Sequence, residues 1–345
     1  MLFRSLDNTE LQASLTQLPG AGIEEMLLST QTYSGANRLN DHTAMFAVKL
    51  QGHKKYNQQN FIANKSYFMF DNTVIALGSN INNDDINNPV QTTLFQHNIS
   101  DLSPVEVNGS SINQLENTQS FDGDITLQDP AGNRYYITTT AAQPLLFSYD
   151  KQISNDEDDA KETHGQFATA VINHGITPIN QSYEYAIVIE AKTKDKPQYR
   201  VIQKDNSVHA VESTNGIEAY AFFEPATIKT AKHLLSAATA SQIMLQEHSN
   251  GHQLNLSIVN PDLAFYKGQD PEQVDANSEQ VEVSIYDRDW RYSLSQPVIT
   301  QFTLKDKWQL VTPNDVISIT YNGNNTEITT TTVDAEPLLF NLSKK

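Results

Sequence analysis

The chain has 345 residues, with 23 Lys and Arg against 41 Asp and Glu, for a formal net charge of −18. Hydrophobic residues make up 38% and charged residues 19%, which supplies a packed core and excludes a disordered chain. The acidic balance excludes nucleic acid as a partner, because phosphate binding needs a basic footprint. Cysteine is absent, so disulfides, thiolate zinc sites and thiol nucleophiles are excluded.

In chain order, Met1 to Gln12 lacks the apolar core of a secretory leader. No stretch reaches the roughly 18 apolar residues of a membrane-spanning helix. The first 30 residues are the best helical candidate, with Glu24-Glu25-Met26-Leu27-Leu28 closing a short helix, although Pro19, Gly20 and Gly22 cut the region up. From Ala44 the pattern becomes β-like. Met45 to Leu50, Ser66 to Phe70 and Thr73 to Leu77 read as strands, followed by Tyr135 to Thr140, Leu145 to Tyr149, Tyr183 to Ile189 and Tyr199 to Ile202.

Asn/Asp/Gly-rich turns separate these runs, as at Asn82-Asn83-Asp84-Asp85 and Asp129-Pro130-Ala131-Gly132-Asn133. The acidic run Asn155-Asp156-Glu157-Asp158-Asp159 lacks the alternate ligands, mid-loop Gly and distal Glu of a calcium loop, and reads as a solvated loop. Ser213-Thr214-Asn215-Gly216 reads as a domain boundary, and strand character resumes at Ala219 to Phe223. Lys232-His233-Leu234-Leu235 is long enough for one helical turn. Further strands are expected at Gln253 to Val259, Val281 to Tyr286, Val316 to Tyr321 and Glu327 to Val333, and Asn322-Gly323 between the last two is a hairpin signal. The rhythm of short strands and turns predicts an all-β protein.

Four stretches resemble, in order and spacing, the region that follows the helical domain in chondroitin ABC lyases of polysaccharide lyase family 8. They are Gly78 to Asn82 with Val90 to His97; Ile172-Asn173-His174-Gly175 with Ser182 to Tyr185; Tyr199 to Asp205 with Val208-His209; and Gly216 to Pro225 around Ala219-Tyr220-Ala221-Phe222. The resemblance implies a large antiparallel β-sandwich of supersandwich type over residues 1–215, followed by a smaller C-terminal β-sandwich domain over residues 216–345. It also implies glycosaminoglycan partners, chondroitin sulfate or hyaluronan, a helical toroid domain or subunit, an extracellular or periplasmic location, and neither metal nor cofactor. A sandwich face left open by the missing toroid is expected to drive self-association.

In such enzymes a base removes the C5 proton of a uronic acid while its carboxylate is neutralised, and an acid protonates the leaving oxygen. The resemblance places most of that machinery in the toroid, with one supporting carboxylate from the sandwich. That position corresponds to Asn40 at the end of Tyr33-Ser34-Gly35-Ala36-Asn37-Arg38-Leu39-Asn40. A shift of one residue would put Asp41 there, and a third placement lies upstream of Met1. An amide neither orients a cationic Arg as a carboxylate does nor serves as a base, so this chain is expected not to be catalytic alone.

Tyr33, Arg38, Asn40 and His42 are the candidate substrate-binding residues. The Arg38 fork matches a uronate carboxylate, and a local structural contact is the competing role. His97 and His174 are expected to be hydrogen-bonded structural histidines, and their spacing matches no zinc signature. Trp290 and Trp308 are expected in the core, with sugar stacking as the alternative. Lys54-Lys55 and Lys344-Lys345 read as exposed lysines.

Overall fold

The computed structural model describes residues 3–4, 31–52, 57–98, 104–112, 116–155, 161–248, 251–262 and 297–345. The expected N-terminal helix, the strand Val281 to Tyr286, Trp290 and Lys54-Lys55 lie outside the described residues, as does most of the acidic run. The described residues contain no α-helix, and the strands pair antiparallel in several sheets. The fold is therefore the all-β, sandwich-type architecture that the strand rhythm implied. Lys232 to Leu235 forms no helical turn. Leu234–Ala237 is a strand whose Leu234 is buried opposite Leu304, so tertiary packing overrides the local helical preference.

The chain divides into two compact units that interleave in sequence. The first comprises residues 1–26, 72–76 and 81–197. In it, strands Val90–Asn98, Glu162–Gly175, Leu145–Asn155 and Glu116–Phe121 pair in that order. A second run pairs Gln181–Val188, Arg134–Thr139, Gly123–Gln128, Val105–Val107 and Ser110–Ile112. The two runs meet through buried side chains such as Phe95 and Tyr135, whose ring centroids lie 5.5 Å apart.

The second unit comprises residues 27–71, 77–80 and 198–345. Ser34–Asn40, Thr43–Gln51 and Ile62–Phe70 pair side by side. A seven-stranded sheet runs Tyr199–Lys204, Val208–Ser213, Ile217–Phe222, Ser241–His248, Gln253–Val259, Leu338–Lys344 and Trp308–Leu310. A five-stranded sheet runs Ala226–Thr227, Leu234–Ala237, Val298–Leu304, Asn325–Thr332 and Ile317–Asn322. The turn at Ser213 to Gly216 joins two adjacent strands of the seven-stranded sheet, Gly216 taking a φ of 72°. The expected Asn-Gly hairpin is present: Asn322 pairs with Asn325, and Gly323 adopts a φ of 60° that residues with a Cβ rarely take.

Between these two sheets lies a core that includes Tyr220, Phe222, Leu245, Leu256, Phe302 and Trp308. All six residues of Ile217–Phe222 are buried, as a strand covered on both faces requires. Trp308 belongs to this core. Its Nε1 donates to the Lys305 carbonyl at 2.6 Å, and the Tyr321 hydroxyl donates to the Trp308 carbonyl at 2.9 Å. Lys344 of the C-terminal pair holds Asp306 at 3.0 Å, and the Lys345 ammonium sits 4.5 Å from the Tyr321 ring centroid. Trp308→Ala is expected to lower stability by about 3–5 kcal/mol, read as a fall in the urea midpoint. A shift within about 0.5 kcal/mol, as at exposed positions, would show that this packing is dispensable.

Candidate functional site

The stretch Tyr33 to His42 sorts by strand alternation into two faces. Tyr33, Asn37 and Leu39 point inward, whereas Ala36, Arg38 and Asn40 are exposed. Tyr33 is 2% exposed, its ring 5.3 Å from that of Phe223, and its hydroxyl donates to the Ser241 carbonyl at 3.3 Å. Burial, with the Asp262 charge adding to it, raises the phenol pKa well above its ordinary value. Tyr33 is therefore a protonated core group and does not join Arg38 and His42 at a common surface.

Asn37 stitches the three-stranded run to the seven-stranded sheet. Its amide donates to the carbonyls of Gln242 and Ser257 at 3.1 and 3.0 Å, and the Ser257 hydroxyl donates back to it at 2.6 Å. Gln242 returns a bond to the Gly35 carbonyl at 2.7 Å. A Cβ on Gly35 would stand 2.8 Å from Pro261 Cβ, so the close approach needs glycine.

On the outer face Arg38 pairs with Ala44, and Ala36 with Phe46, which pairs in turn with Tyr67. The Phe46 and Tyr67 rings stack, with centroids 6.3 Å apart and planes 28° apart. An exposed guanidinium beside a half-buried aromatic pair can meet a carboxylate-bearing sugar. Asn40 and His42 close the adjoining hairpin. The Asn40 side-chain oxygen accepts from the His42 backbone N–H at 2.9 Å, an Asx-type turn that accounts for an amide at this position.

Three further histidines, His97, His174 and His209, are engaged structurally. His97 contacts the buried Asp129 carboxylate at 3.4 Å. His174 is buried between Thr92, at 2.8 Å from Nε2, and Gln143 on its other nitrogen. His209, inside the third motif, is fully buried between two serines. Ser79 donates to the Asp205 carbonyl at 3.0 Å, so it accepts from His209 Nε2–H at 2.9 Å, which leaves Nδ1 to accept from Ser66 at 2.8 Å. Only the neutral ring with its proton on Nε2 serves this relay. Burial, helped by Lys204 and opposed by Asp205, pushes its pKa down to about 3.

One cluster had no counterpart among the predicted sites. Glu218, fully buried, accepts from the Tyr220 hydroxyl and faces His233 Nδ1 at 2.7 Å, while His233 Nε2 faces Glu247 at 2.8 Å. Lys232 reaches the same Glu247 oxygen at 3.3 Å. Desolvation pushes the Glu247 pKa up, but the hydrogen bonds and charges of Lys232 and His233 together outweigh it and leave the pKa lowered. The imidazole can donate to both carboxylates only when both ring nitrogens carry protons. A Glu inside the apolar run Ile217 to Phe222 was the available signal, since a buried charge needs a partner. No group of three or more His, Asp or Glu positioned to hold a metal ion occurs among the described residues.

Residues 9–200 match the super-sandwich domain of polysaccharide lyase family 8. The chain belongs to this family. It is 48% identical over 340 residues to the chondroitin sulfate ABC exolyase of Proteus vulgaris, matching 98% of this chain and 34% of that protein. It is 31% identical over 298 residues to the chondroitin sulfate ABC exolyase of Bacteroides thetaiotaomicron, covering 84% of this chain and 28% of that one. The chain thus spans about a third of the length of these relatives. The fold is shared with a Paenibacillus xanthan lyase at TM-score 0.69 and 15% identity, over 92% of this chain and 29% of that one. It is also shared with the Streptomyces coelicolor chondroitin AC lyase at TM-score 0.62 and 15% identity, over 91% and 36% of the two chains. The chain is a chondroitin-lyase-like super-sandwich portion.

Two outcomes test the division of roles. Asn37→Ala strands buried polar partners and is expected to cost about 1–3 kcal/mol, whereas Arg38→Ala is expected to stay within about 0.5 kcal/mol; urea unfolding compares them. For His209, the unfolded ring takes up a proton below its usual 6.5 that the folded ring refuses until about pH 3. The unfolded state therefore holds more protons across that window, and each unit of acidification removes about 1.4 kcal/mol of stability. Stability should fall from pH 7 to pH 4 more steeply in the parent than in His209→Gln, and equal slopes would contradict the buried neutral ring.

Proposed function

We propose that this chain is the non-catalytic β portion of a glycosaminoglycan lyase, contacting acidic polysaccharide through the outer face that carries Arg38. The observation behind this reading is the outward half of the Tyr33 to His42 stretch. It carries a guanidinium for a uronate beside stacked Phe46 and Tyr67, while the end of the strand carries Asn40, a turn-closing amide, where the resemblance puts a carboxylate. Arg38, Asn40 and His42 are the proposed contact residues, and Tyr33 supports them from the core. A uronate needs a cation to meet its charge, and Arg38 supplies a planar fork that matches carboxylate geometry. The proposed setting is extracellular or periplasmic, where such polymers would be met.

The coverage of about a third of each relative favours a second reading, an active lyase when a helical toroid supplies the base and acid for β-elimination. The test is the absorbance of the unsaturated uronate product on mixing the 345-residue chain with chondroitin sulfate or hyaluronan. No product is expected from the chain alone, and product from the chain alone would overturn the non-catalytic reading. Calorimetry with uronate-containing oligosaccharides should show salt-sensitive binding, weakened about two- to fivefold in Arg38→Ala, the range of an exposed ion pair. Unchanged binding in Arg38→Ala would remove this face from the site.

A further inference from the structure

We propose that the first unit carries a binding site for a neutral saccharide, on the sheet face formed by strands Val90–Asn98, Glu162–Gly175 and Leu145–Asn155. A cavity of about 310 Å³ opens there, lined by Gln96, Asn98, Gln152, Thr163, His164 and Phe167 among others. That volume lies at the lower end of the ~300–1,000 Å³ range of small-molecule sites, which suits one or two sugar rings better than a long polymer. Register explains the grouping. Gln152 lies opposite Gly165, Phe167 lies opposite both Asn98 and Asp150, and Thr169 lies opposite Gln96. Alternation therefore puts these amides, the hydroxyls and the aromatic ring on a single face, while His164 and Ile153, which lie opposite each other, have the other parity and border the cavity.

Two features preorganise this face. Gln96 donates to the Gln152 side-chain oxygen, and Gln152 donates to the Thr169 hydroxyl at 3.1 Å, so the central amide is held in one orientation. A Cβ at position 165 would collide with the Phe167 ring. Glycine there lets the half-buried ring lie over the strand. A flat apolar ring flanked by oriented amides matches a sugar, whose C–H face packs on the ring while its hydroxyls exchange bonds with amides.

The charge pattern selects among ligands. Among the described residues, no Lys, Arg, Asp or Glu lines the cavity. The nearby charges are unfavourable to anions: Asp150 faces this side opposite Phe167, and His164 at the rim is paired with Glu162 at 3.2 Å. A sulfated or uronate sugar would meet carboxylates without a compensating cation. A peptide adding as a strand needs an open sheet edge, whereas Glu162–Gly175, the central strand of this face, is paired on both sides. A neutral saccharide satisfies every one of these constraints. This site uses none of the residues of the Arg38 face, so the two readings can fail separately.

The test is saturation-transfer NMR on the full chain with lactose, maltose and chitobiose at millimolar concentration, and with a chondroitin sulfate disaccharide for comparison. Transfer to the ring C–H protons of at least one neutral disaccharide is expected, persisting at high salt. It should weaken at least about tenfold in Phe167→Ala, the loss of one well-packed aromatic contact. Gly165→Ala, which displaces the ring, should act in the same direction, and far-ultraviolet circular dichroism checks that both variants fold. Arg38→Ala should leave neutral-sugar transfer unchanged. No transfer from any of the three neutral sugars would overturn the proposal. So would equal transfer in folded Phe167→Ala, or transfer to the sulfated disaccharide that Phe167→Ala abolishes and Arg38→Ala leaves intact.

Discussion

A strand has two faces, and each must find a neighbour or water. Strand Ile217–Phe222 gives both faces to protein, and the second unit is organised around that choice. On one side lies the apolar core shared with the five-stranded sheet. On the other, the sheet meets Tyr33, Asn37 and Ser66, and the contact is polar: an amide bonded to two carbonyls and a serine, a glutamine bonded to the Gly35 carbonyl, and an imidazole held between two hydroxyls. Burying backbone carbonyls and hydroxyls is costly unless each finds a partner. A polar seam of this kind tolerates fewer alternative registers than an apolar one, because a slip of one residue would turn Asn37 outward.

The same constraint decides what the Tyr33 to His42 stretch can do. Read linearly, Tyr33, Arg38 and His42 fall within ten residues and suggest one cleft. Read on a strand, parity separates them: position 33 belongs to the inward set with 37 and 39, and position 38 to the outward set with 36 and 40. Asn40 then has a role independent of any ligand, because its carbonyl oxygen closes the hairpin.

Most of the fold was legible because strands with one buried face alternate and the turns carry Asn, Asp and Gly. Gln253 to Val259 was legible to the residue, and Asn322-Gly323 marked its hairpin. Less legible were features that depend on partners remote in sequence. Ser66, Ser79 and His209 are each unremarkable in their local runs, and only pairing across more than a hundred residues makes them a relay. Lys232 to Leu235 has the composition of a helical turn, but Leu234 is claimed by the core. Ser213-Thr214-Asn215-Gly216 has turn chemistry, which a hairpin and a linker share. The Glu218–His233–Glu247 cluster left one trace, a charged residue within an apolar run, and its two partners lie 15 and 29 positions further along the chain.

The net charge of −18 bears on where an acidic chain can meet sugars at all. Long-range repulsion slows the approach of polyanions but is screened within about 10 Å at moderate ionic strength. Inside that distance the local side chains decide. An exposed guanidinium can outweigh the distant carboxylates, so the outer face with Arg38 suits a uronate despite the overall balance. A face of amides, hydroxyls and one aromatic ring has no such counterweight and gains nothing from an anion. For that surface the acidic background is an advantage, because it discourages sulfated chains without affecting neutral ones. One field can thus sort two classes of sugar between two surfaces, since charge excludes only ligands that carry it.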